Sequence, residues 1–82
     1  KRTLPERSYS ADLFRKGRGA IAQKVGEEAL ELALATVAES PERALSEFTD
    51  VVYALLIVAT ELGIEADDIV RSLAEKKAAA RR

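Results

Sequence analysis

The chain contains no cysteine and no histidine. The first absence excludes disulfides and thiolate metal sites. The second removes the commonest general base and the commonest ligand for transition metals. A metal held by this chain must be held through oxygen, which favours Mg²⁺, Mn²⁺ or Ca²⁺ over Zn²⁺. No apolar run is long enough to span a membrane, and no secretory signal is present. The formal net charge of −1 offers no general attraction to a nucleic acid polymer. Missing Cys and missing targeting segments lead us to expect a cytoplasmic protein. Residue 1 is Lys rather than Met, so a trimmed N-terminus is expected.

Eighty-two residues amount to one domain, 1–82, and a chain of this size buries only roughly 60–65% of its unfolded surface. Charge is unevenly spread. Lys1, Arg2, Arg7, Arg15, Lys16 and Arg18 make one end basic; Lys76, Lys77, Arg81 and Arg82 make the other basic; the middle is acidic.

Residues 1–10 read as an irregular lead-in, because Pro5 disfavours helix at Leu4. Residues 11–16 read as a short helical turn anchored by Leu13 and Phe14, which Gly17-Arg18-Gly19 breaks or bends. A strong helix is expected over 20–39. Ile21, Val25, Leu32 and Val37 lie broadly on one side of it, and from Ala29 to Ala38 only Glu31 and Thr36 are polar. Ser40 suits an N-cap and Pro41 a first helical position, opening a second helix over 41–62. Its centre, Val51 to Ala59, is nine consecutive apolar residues. A helix that is apolar on all sides is buried on all sides, and one short chain has few elements to cover it. The expected architecture is therefore all-α, with helical hairpin subunits forming a four-helix-bundle-like core in a homo-oligomer, a dimer in the simplest case. Gly63 ends this helix. Asp67 and Asp68 open a third, with Ile69, Val70 and Leu73 as its apolar stripe, and residues 76–82 are expected to fray.

Two carboxylate clusters stand at the edges of the apolar runs. On a helix, Lys24, Glu27, Glu28 and Glu31 fall within about a third of the circumference. Glu28 and Glu31 are i, i+3, as are Glu47 and Asp50 on the next helix. Two helices joined by a short loop pack antiparallel, which can set the pairs face to face. Carboxylates so gathered repel one another, and one or two Mg²⁺ ions would neutralise them. The alternative is a solvated helix face with i, i+4 partners such as Lys24 and Glu28, with Arg15, Lys16 and Arg18 as ordinary surface charge and Tyr53 as core. There is no calcium-binding loop of the EF-hand type, no glycine-rich phosphate loop and no Glu-x-x-His pair. What remains is hard-metal chemistry on helical carboxylates, usually phosphoryl or nucleotidyl transfer to water.

Three segments carry a family resemblance: Ser8-Tyr9-Ser10 with Leu13-Phe14, then Lys24-Val-Gly-Glu27-Glu28-Ala-Leu-Glu31, then Glu47-Phe-Thr-Asp50-Val-Val-Tyr53. Together they resemble the phosphoribosyl-ATP pyrophosphohydrolases of histidine biosynthesis, within the MazG-like all-α nucleotide pyrophosphatases, over roughly residues 5–73. The resemblance implies Mg²⁺-dependent hydrolysis, with Mn²⁺ as a substitute ion, between the α- and β-phosphates of phosphoribosyl-ATP. It implies Glu28, Glu31, Glu47 and Asp50 as metal ligands, and Glu27 as holder of a second ion or of the attacking water. Lys24, with Arg15 or Lys16, would meet the phosphates, and Tyr9, Ser10 and Tyr53 would line the substrate pocket. Two departures stand out: the family commonly has His where this chain has Ala54, and the helix that usually precedes the Ser-Tyr segment is missing. Two other readings remain open, a housecleaning (d)NTP pyrophosphatase of the MazG-like type and a non-catalytic helical oligomerisation module.

Overall fold

The computed structural model describes residues 4–80, with side chains from Ser10 onward, and every element in that range is helical. The order is α1 (Leu4–Lys16), α2 (Arg18–Val37), α3 (Pro41–Leu62) and α4 (Ala66–Ala80).

The lead-in is helical where irregular chain was expected. Helix α1 starts at Leu4, not Ala11. Pro5 sits in the first turn, where its missing N–H costs no intrahelical bond and its fixed φ suits the helix. The break before α2 is narrower than the Gly17-Arg18-Gly19 segment. Gly17 alone carries it, at φ 96° and ψ −176°, a region essentially restricted to glycine. Gly19 is already inside α2. At the other end α4 runs through Ala80, so residues 76–80 continue the helix.

The signals at either end of α3 act as its sequence suggests. Ser40 is extended and Pro41 opens the helix. Gly63 closes it in the left-handed conformation at φ 70°. The Ile64 amide donates to the Ala59 carbonyl at 2.8 Å and the Gly63 amide to the Thr60 carbonyl at 3.4 Å, the paired bonds of a Schellman closure. At the start of α4 the Asp68 carboxylate accepts the Glu65 amide at 2.9 Å. A carboxylate three residues into a helix reaching back to the capping N–H satisfies one of its orphan donors.

Helices α2 and α3 form the antiparallel hairpin that carries the molecule, and α1 packs on α2. The core is small: Leu13, Ile21 and Ile57, flanked by Ala20, Tyr53 and Val58, with Ala35 and Ala54 buried between the long helices. One ion pair clamps the hairpin, Arg18 Nε to Glu61 Oε2 at 3.0 Å.

A single chain covers only part of its apolar surface. The radius of gyration is 14.8 Å, against about 12 Å for a compact domain of this length. The nine-residue apolar run of α3 is buried on one side only. On the other side Leu45, Phe48, Val52 and Leu55 recur at alternating spacings of three and four, with Leu62 two turns on. Of these, Leu45 is 67% exposed, Phe48 56% and Leu55 49%. Helix α4 has no buried residue.

Candidate functional site

The hairpin sets three carboxylates together. Glu28 of α2 and Glu47 and Asp50 of α3 each offer one oxygen within 4.8 Å of the others. The reason is the helical period. Glu28 lies on the inward stripe of α2 with Ile21, Val25, Leu32 and Ala35, and Glu47 lies on the inward stripe of α3 with Val51, Ala54 and Val58. The stripes that make the apolar contact therefore continue into the acids. Asp50, one turn beyond Glu47, points to the same place from an exposed position.

Glu47 defines the electrostatics. Its Oε1 is sealed from solvent and has no hydrogen-bond partner. Desolvation pushes its carboxyl above the usual range, and the charges of Glu31, Asp50 and Glu28 push the same way, against a smaller pull from Arg43. A buried acceptor without a partner, in a group of like charges, is the arrangement a bound cation would satisfy. A Mg²⁺ ion with oxygens at about 2.1 Å sets opposite ligands roughly 4.2 Å and neighbouring ligands roughly 3.0 Å apart, so a group whose oxygens lie within 4.8 Å would close on the ion by side-chain movement. The residues present fit a hard divalent ion.

The remaining candidates distribute as follows. Glu31 is exposed and outside the group of three, yet near enough for its charge to act on Glu47. Lys24 Nζ pairs with Glu28 Oε2 at 2.8 Å, which puts one ammonium at the edge of the cluster. Glu27 is exposed and accepts a hydrogen bond from Gln23 Nε2 at 3.2 Å. Arg15 and Lys16 both pair with Asp12, at 2.6 and 3.0 Å, and Lys16 first, then Arg15, holds that carboxyl below its usual range. The Ser10 and Tyr53 hydroxyls hydrogen-bond across α1 and α3. The Tyr9 side chain lies outside the described residues, although its backbone belongs to α1.

Reading the sequence as separate motifs missed a cleft between α1 and α3, lined by Ser10, Phe14, Tyr53, Leu56, Ile57 and Thr60. The spacing of Asp50, Tyr53, Ile57 and Thr60 could have signalled its α3 wall. Nothing local could have signalled that α1 closes the other side.

A stability prediction follows from Glu47. In the ion-free protein its folded carboxyl titrates above its ordinary value. Between those two pH values the native state binds more protons than the unfolded state, so stability falls as pH rises through that window. Glu47→Gln is expected to melt higher than the wild type at neutral pH in chelator. The difference should shrink as pH falls through the carboxylate range. Thermal melts of both proteins from pH 4 to 8 check this, and a difference independent of pH would contradict it.

Comparison with known proteins adds the following. The family profile of Phosphoribosyl-ATP pyrophosphohydrolase matches residues 1–77. The chain is 46% identical over 68 residues to a protein of Metallosphaera sedula named phosphoribosyl-ATP pyrophosphatase, covering 83% of this chain and 73% of that protein. A protein of the same name from Rhodospirillum rubrum is 43% identical over 72 residues, covering 88% and 62%. One from Saccharolobus islandicus is 41% identical over 73 residues, covering 89% and 78%. No solved structure matches significantly.

Proposed function

The chain belongs to the phosphoribosyl-ATP pyrophosphohydrolase family, and from that premise we propose that it hydrolyses the α–β phosphate bond of phosphoribosyl-ATP, releasing phosphoribosyl-AMP and pyrophosphate in histidine biosynthesis. The observation that carries the chemistry is the group formed by Glu28, Glu47 and Asp50, with the Glu47 Oε1 buried and unpartnered. We read residues 1–82 as one domain of this family acting in the cytoplasm. No described helix is long and apolar enough to cross a membrane.

Glu28, Glu47 and Asp50 would hold a divalent ion, Mg²⁺ by the hardness of the donors, with Mn²⁺ as a substitute and Glu31 completing the set. When bound, the ion supplies positive charge where phosphate oxygens gain negative charge during bond breaking. The chain's own groups do the rest. Lys24, beside Glu28, adds a cation for the leaving pyrophosphate. Glu27 is solvent-facing and oriented by Gln23, so it can place a water and take its proton. With no histidine in the chain, a carboxylate would take that proton or pass it to bulk water. Ser10 and Tyr53 would meet the nucleoside part, with Tyr9 beside them. Arg15 and Lys16 would reach a phosphate only by releasing Asp12, whose exposed ion pairs are weak enough to exchange.

We also infer that the protein works as a homodimer. The outer stripe of α3 has the alternating three-and-four spacing of a helix–helix seam from Leu45 to Leu55, with Leu62 two turns on. The positions flanking it, Ala44, Thr49, Val51, Leu56 and Val58, carry no charge. Such a face meets its own copy without bringing like charges together.

The test of the activity is kinetic. Purified protein with Mg²⁺ is expected to turn over phosphoribosyl-ATP with a higher kcat/KM than any of the common NTPs or dNTPs, with pyrophosphate as the product. The (d)NTP reading rests on one position, Ala54, which is only 3% exposed and stands where the family commonly has His. Faster turnover of any dNTP would favour that reading instead.

A further inference from the structure

The cleft between α1 and α3 measures about 260 Å³. Ligand sites for whole drug-sized molecules span about 300–1,000 Å³, so this one has room for a single ring system rather than a complete nucleotide. Among the described residues its lining is two aromatics, two aliphatics and two small hydroxyl-bearing side chains, with no charged group. The Thr60 hydroxyl donates to the Leu56 carbonyl at 2.9 Å, so it keeps only acceptor capacity. A phosphate would find no cation among the described lining residues, whereas a flat, uncharged ring would find the partly exposed Phe14 ring and the Leu56 side chain.

Position decides what ring that is. Asp50, Tyr53, Ile57 and Thr60 follow one another at spacings of three, four and three on α3, so the carboxylate group and the cleft share one flank of that helix. From Asp50 to Ile57 the helix rises roughly 10 Å at about 1.5 Å per residue. A ribose joining an α-phosphate to its base bridges a gap of that order. Resting on the activity read above, we propose that this cleft is the adenine subsite, with Phe14 and Leu56 as its walls and the Ser10–Tyr53 hydroxyl pair as its polar floor. The base is held by stacking and by hydroxyl contacts, separately from the phosphates. Phe14 is thereby a specificity-determining residue.

The experiment compares the wild type with Phe14→Ala and with Phe14→Leu, which keeps an apolar side chain in the cleft and loses the ring. Loss of one base–aromatic stack is expected to raise KM for phosphoribosyl-ATP roughly 5- to 100-fold, the effect falling on KM rather than on kcat. Inorganic tripolyphosphate, which has no base, should inhibit all three proteins with the same Ki. In the wild type, adenosine without metal should shift the ring NMR signals of Phe14 and Tyr53. An unaltered KM in both variants overturns the subsite, as does a tripolyphosphate Ki that rises in step with KM. Absence of any adenosine-induced shift, as when a second copy fills the cleft, overturns it as well. These results leave the activity standing. A wild type that does not hydrolyse phosphoribosyl-ATP refutes the activity, and the subsite falls with it.

Discussion

Asp50→Asn is expected to lower kcat/KM for phosphoribosyl-ATP by about 10²–10³-fold, the size seen when one preorganised electrostatic partner of a transition state is removed. Glu28→Gln should act in the same range. Both substitutions keep side-chain volume and change only charge. Both remove an oxygen donor of full negative charge from a group whose members lie within 4.8 Å of one another, so Mn²⁺ should bind more weakly to each variant. The two differ in stability. Glu28 also pairs with Lys24, and its replacement loses that contact. Asp50 belongs to no ion pair among the described residues, so Asp50→Asn relieves repulsion alone and should melt higher than the wild type without metal. A variant that is more stable and nearly inactive separates a functional charge from a structural one. Steady-state kinetics, Mn²⁺ titration and melting in chelator together check this. Full activity and unchanged Mn²⁺ binding in both variants would sink the metal-site reading, whereas a wild type that neither binds Mn²⁺ nor turns over substrate would favour the non-catalytic module.

Leu55→Glu is expected to convert the proposed dimer into a monomer and to lower the melting temperature. Leu55 stands in the middle of the outer seam of α3 and is 49% exposed in the single chain. A carboxylate placed there in a covered seam loses its water without gaining a partner, which costs several kcal/mol. Each 1.4 kcal/mol is tenfold in a dissociation constant, so the constant should rise by at least about 10²-fold. The change should be milder in the isolated subunit, where about half of the Leu55 surface already faces water. Light scattering at micromolar concentration reads the mass directly. A wild type that is already monomeric and well folded would overturn the shared-core reading.

Much of this fold is legible in local residues. Pro41 and Gly63 bound α3 because a fixed φ suits a helix start and a left-handed residue suits its end. Glu28, Glu47 and Asp50 come together because spacings of three and four keep residues on one helical face. The errors were also local. The rule that Pro disfavours helix before it hid the fact that α1 begins at Leu4, where Pro5 replaces no hydrogen bond. Nor does the local sequence show that Arg15 and Lys16 pair with Asp12 on their own helix.

By itself, the sequence determined the helical class, the hairpin, the restriction of any metal site to oxygen donors and the acids that could form it, because each follows from residue type and from a period of 3.6. Only the tertiary structure decided which acids share one oxygen-sized space and which stays outside it. It also showed that the Glu47 Oε1 is sealed without a partner, and that α1 folds over α3 to make a cleft from Phe14 and Thr60. The physical reason is common to all three. Burial and proximity across helices depend on how far the hairpin is rotated and shifted in register. Those settings are fixed by the summed packing of Leu13, Ile21 and Ile57, a property that no single stretch of the chain carries.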